Sequence, residues 1–104
     1  MIKQMLTRLK SDLCYIHSEY GTTIHEHDLS ELRYSLDLID MLIVDEGGEN
    51  SILILQQIEF QVSSMVDNLD IYGNVKLTGS IRKIAKDFNT SYNDYTNILR
   101  KGEL

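Results

Sequence analysis

Apolar residues recur at steps of three and four in four stretches of the chain, and that spacing keeps each set on one side of a helix. The first set is Ile2, Leu6, Leu9, Leu13, Ile16 and Tyr20, and the second is Leu29, Leu32, Leu36, Ile39 and Ile43. Leu55, Ile58, Val62, Met65 and Leu69 form the third. Ile81, Ile84, Phe88, Tyr95 and Ile98 form the fourth, with Ser91 as its one polar member. Four such stripes joined by short breaks predict an all-α protein. The expected architecture is an antiparallel, up-down-up-down four-helix bundle with helices over about 2–20, 28–45, 51–71 and 79–101.

Start and stop signals punctuate the stripes. Gly21 follows the first and suits a left-handed helix end. Thr23 with Glu26, and Asp28 with Glu31, both have capping-box spacing, and the second pair lies directly before Leu29. Gly47–Gly48 closes the second helix, and Asn50 or Ser51 caps the third. Gly73–Asn74 marks a turn inside the segment 72–77, after which Thr78 or Ser80 opens the last helix. Proline is absent, in keeping with unkinked helices.

The outward positions divide the helices into two kinds. Numbering each stripe as heptad positions a and d puts position f directly opposite the core. In helix 1 those positions are Gln4, Ser11 and Ser18, and in helix 4 they are Lys86, Asn93 and Arg100, all polar. Helix 2 instead has Tyr34 and Met41 there, with Leu38 beside them, and helix 3 has Leu53 and Phe60. In an antiparallel hairpin Met41 lies level with Leu53, and Tyr34 with Phe60. The five residues are expected to form one apolar patch bordered by Asp37, Asp40, Arg33, Glu59, Gln56 and Gln57.

Charge sharpens this picture. The chain of 104 residues, expected to be a single domain over 1–104, carries −6 at neutral pH. Residues 1–20 sum to +1, residues 21–50 to −7, residues 51–75 to −3 and residues 76–104 to +3. In an up-down bundle the acidic middle and the basic ends lie on opposite sides. That polarity argues against direct nucleic-acid binding through one broad basic face and favours a basic protein partner. Asp45, Glu46 and Glu49 extend the acidic surface beside the patch. The longest apolar runs, Met41–Val44 and Ile52–Leu55, are far short of the ~20 residues of a membrane span. Neither a membrane nor a signal peptide is expected, and with Cys14 as the lone cysteine a cytoplasmic location is.

Candidate chemistry is sparse. Cys14, His17, His25 and His27 are the weak candidates for a metal site, with spacing that matches no standard zinc pattern. There is no Glu-x-x-His pair of the di-metal bundle kind, and Gly47–Gly48 lacks the Lys-Ser/Thr of a phosphate loop. Neither a cofactor nor catalysis is expected. The sequence points to a non-enzymatic protein-binding module, and in its most concrete form to a small inhibitor or immunity-type protein that neutralises a basic toxin or nuclease. The alternative is a structural or regulatory homodimer using the helix 2–3 patch to self-associate; a small metal-binding regulator comes third. Tyr34, Asp37, Leu38, Asp40, Met41, Asp45, Glu46, Glu49, Leu53 and Phe60 are the expected partner-binding residues.

Overall fold

A computed structural model describes residues 2–44 and 51–100, and folds them into four helices. These are α1 (Ile2–Tyr20), α2 (Glu26–Val44), α3 (Ser51–Asp70) and α4 (Val75–Arg100). Each packs on two neighbours, α1 on α2, α2 on α3, α3 on α4, and α4 back on α1, which is the closed ring of an all-α four-helix bundle. At about 1.5 Å per residue α4 is about 39 Å long, nearly the full 43 Å extent of the molecule. No described helix is long and apolar enough to cross a membrane.

The core follows the stripes of α1 and α3 closely. Leu6, Leu13, Ile16, Leu55, Ile58 and Val62 are completely buried. In α2 the inward face is turned from the expected stripe towards Ser35, Leu38 and Leu42. Those three are buried, whereas Leu36 and Ile43 are only half-buried. The buried Ser35 hydroxyl donates to the Glu31 carbonyl at 3.1 Å, so a polar residue sits in the core without an unmet hydrogen bond. The α4 stripe holds as far as Phe88. Beyond it Ser91 is exposed and Tyr95 and Ile98 are half-buried.

Helix ends differ from expectation for identifiable reasons. α2 begins at Glu26, two residues early, because His25 takes the cap position and its carbonyl accepts the Leu29 amide at 3.0 Å. Ile24 and Leu29, on either side of that start, are both buried at hydrophobic-staple spacing. α4 begins at Val75 rather than near 79, since the Asn74 side chain accepts the Leu77 amide at 3.1 Å as a helix cap. Gly73, at φ +66°, makes the left-handed turn that leads into it. Gly21 does not need that conformation. A Cβ there would lie 2.5 Å from the His17 carbonyl oxygen, so the residue is small for want of room. The expected stop at Gly47–Gly48 lies outside the described residues.

A tyrosine ties the two loops at one end of the bundle. Tyr72, just after α3, accepts a hydrogen bond from the His25 amide at 2.9 Å and donates one to the Asp28 carboxylate. Its ring also rests against the His25 imidazole, centroids 5.2 Å apart. A capping box normally returns the third helical residue's side chain to the cap amide directly. Here the phenol oxygen stands between the two. Burial, and then the bond to Asp28, raise the phenol above the ordinary tyrosine value of 10.0.

Candidate functional site: the outer face of α2 and α3

On α2 the side chains of Tyr34 and Met41 are 46% and 54% exposed, and on α3 Leu53 and Phe60 are each 61% exposed. Within each helix the two are seven residues apart, which is about 10.5 Å along the axis. α2 and α3 pack against each other, so the four side chains belong to neighbouring helices. Leu38, expected among them, is instead only 7% exposed and belongs to the core. The turn of α2 that buries Ser35 carries Leu38 inward with it.

The structure adds two apolar residues to the face. Val44 and Ile52 are exposed at the adjoining ends of α2 and α3. The signal for them lies in the apolar runs Met41–Val44 and Ile52–Leu55, each one residue longer than a single inward stripe can absorb. The other two helices present polar outer positions: Gln4, Ser11 and Ser18 on α1 and Lys86 and Asn93 on α4 are all exposed. The exposed large apolar residues of these two helices, among those described, are Tyr15 on α1, held edge-on to Tyr20 at 6.5 Å, and Val75 at the start of α4.

The charges around the apolar face are partly engaged. Asp40 is exposed and pairs with Lys10 of α1 at 2.7 Å, and that bond raises the lysine above its ordinary value. Arg33 pairs with Glu26 at 2.9 Å, and Glu59 accepts a hydrogen bond from Ser63 at 2.9 Å. Asp37 is exposed on the same side as Met41 and Tyr34. Asp45, Glu46 and Glu49 lie outside the described residues. Counting formal charge, α2 has five carboxylates against Arg33, and α3 has Glu59, Asp67 and Asp70 with no base, which is −7 for the pair. α1 has Lys3, Arg8 and Lys10 against Asp12 and Glu19. α4 has Lys76, Arg82, Lys83, Lys86 and Arg100 against Asp87 and Asp94, giving +4 for these two helices. Because α1 and α4 close the ring opposite the α2–α3 pair, the bundle is polarised across its width.

The residues singled out for chemistry are not brought together. Cys14 and the rings of His25 and His27 are exposed and His17 is half-buried, and among the described residues no three Cys, His, Asp or Glu side chains form a ligand set. The grooves along the α1–α4 and α3–α4 seams are lined by neither cysteine nor histidine. The feature that separates this bundle from a plain solvated one is therefore the apolar, acid-bordered face of α2 and α3. No protein-family model matches the chain, and neither a curated protein nor a solved structure does.

Proposed function

We propose that this protein is a non-enzymatic binding module that docks a basic protein surface onto the outer face of α2 and α3. The observation that carries the reading is the contrast between helices. Tyr34, Met41, Leu53 and Phe60 are about half exposed at positions where α1 and α4 carry polar residues. Aromatic residues and methionine are enriched at the centres of protein interfaces.

Magnitudes indicate what kind of partner the face suits. Covering the still-exposed half of four such side chains contributes about 1 kcal/mol each, about 4 in all. That sits at the low end of the cost of association, ~4–15 kcal/mol. Apolar contact alone does not hold a complex, so the acidic surround has to supply further pairing, along with orientation and encounter rate. A basic toxin or nuclease, blocked over its substrate-binding surface in the manner of an immunity protein, fits that demand. A symmetric dimer through the same face is less well served, because it brings two strongly acidic hairpins together.

The test is inhibition and binding kinetics against a panel of small basic nucleases, using wild type and Met41→Glu/Phe60→Glu. Expected is stoichiometric inhibition of a panel member. Its association rate should fall steeply between about 0.05 and 0.3 M salt, and the double variant should lose the complex while keeping its helical circular dichroism. A double variant that folds and still inhibits places the binding surface elsewhere.

A further inference from the structure

The polarity of the bundle has a second consequence. Each chain carries, on the side opposite its acidic apolar face, a surface of the chemistry that face recognises. α4 presents Lys83 and Lys86 to solvent, Lys86 at the edge where α4 meets α3 and Asp67 shares the groove, and neither lysine is within ion-pairing distance of a carboxylate among the described residues. On α1, Lys3 is exposed in the same way, and an open depression runs past it along Gln4, Thr7, Arg8, Ser11 and Asp12. Long basic side chains lay their methylene stems on apolar surface while the charged ends stay solvated, and they favour aromatic faces.

The seam between α1 and α4 also has a notch. Where the α4 stripe calls for a bulky residue the chain has Ser91, which is exposed, and the crevice beside it measures about 30 Å³. Its floor is Met5, Leu9, Ile84 and Phe88, and its rim carries Asp12 and Arg8, the latter bonded to Asp87 at 3.4 Å; a space of that size holds one water molecule and no side chain of a neighbour.

We propose that the chain assembles head to tail, the α2–α3 face of one copy seated on the α1–α4 face of the next. This rests on the reading of the α2–α3 face as a docking surface. Two symmetric alternatives are opposed by charge, since each sets like-charged helix pairs against one another, −7 on −7 or +4 on +4. The head-to-tail contact sets −7 against +4. Because the two faces lie on opposite sides of the ring, the contact does not close on itself, and it extends as a row of molecules.

Two complementary variants test this. Met41→Glu/Phe60→Glu disables the α2–α3 face and keeps the basic one, while Lys83→Glu/Lys86→Glu disables the basic face and keeps the apolar one. Mass is read by light scattering at low and high salt, with circular dichroism to confirm the fold of each. Wild type should gain mass continuously with concentration at low salt and return to 12.0 kDa at high salt. Each variant alone should stay at 12.0 kDa, and their equimolar mixture should reach twice that mass and stop. A lysine variant that dimerises by itself would overturn the head-to-tail contact in favour of symmetric pairing through α2–α3. A wild type that stays monomeric at every concentration in low salt would overturn self-assembly and leave the nuclease inhibition assay to decide the docking face on its own.

Discussion

Replacing Tyr72 with phenylalanine keeps the ring and removes only the oxygen that joins the two loops. Two hydrogen bonds go with it, one from the His25 amide and one to the Asp28 carboxylate. A neutral bond of this kind contributes about 1 kcal/mol net, and one to a charged acceptor about 1.5–3 when dry. The His25 amide is exposed and Tyr72 only half-buried, so water takes over much of what is lost. The expected destabilisation is about 1.5 kcal/mol, which for a bundle of this size lowers Tm by roughly 6–12 °C. pH supplies a sharper signature. The folded state holds the phenol protonated to higher pH than the unfolded chain does, so its contribution is complete below about pH 10 and is lost as pH rises through the raised folded value. Urea unfolding followed by circular dichroism should therefore show a constant gap between wild type and Tyr72→Phe from about pH 7 to 9, narrowing above pH 10. A gap below about 0.3 kcal/mol at pH 8, or one that does not narrow in alkali, refutes the claim that the phenol oxygen holds the loops together.

The orientation of α2 is tested by two neighbours on its surface. Leu38→Ala should cost about 2–4 kcal/mol and Met41→Ala less than about 0.5, read from urea midpoints at equal slope; equal costs would mean that α2 is turned the other way. Glycines make opposite predictions. Gly79→Ala places its methyl in open space within α4 and should stabilise by about 0.5–1 kcal/mol, whereas Gly73→Ala, at φ +66°, should cost about 1 kcal/mol. Thermal melts of the two variants should move in opposite directions.

How far the molecule can be read from its sequence depends on whether the deciding contacts are local. The α1 stripe is legible because its aliphatic residues are buried and its outward positions are polar, and the α3 stripe because Leu55, Ile58, Val62, Met65 and Leu69 keep their spacing into the core although Leu53 and Phe60 lie outside it. α4 starts at Val75 rather than near 79 because Asn74 after Gly73 is both a turn signal and a helix cap, and only the bond to the Leu77 amide decides between them. The Tyr72 bridge carries no local signal, since its hydroxyl meets Asp28 across 44 residues of chain. In α2 the difficulty is different. Apolar residues there occupy more than half the circumference, so the stripe through Leu36 and Ile43 and the one through Leu38 and Leu42 have nearly equal claims. Burying Ser35 settles the choice, and a serine gives no hydrophobic signal of which way it faces; its hydroxyl is accommodated only because the Glu31 carbonyl one turn earlier accepts it. That rotation is large enough to take Leu38 inside and small enough to leave Tyr34 and Met41 outside. The exposed face therefore survives on α2 as two residues rather than three. Its apolar weight lies as much on Leu53 and Phe60 of α3 as on α2, and a partner that grips this surface has to span both helices.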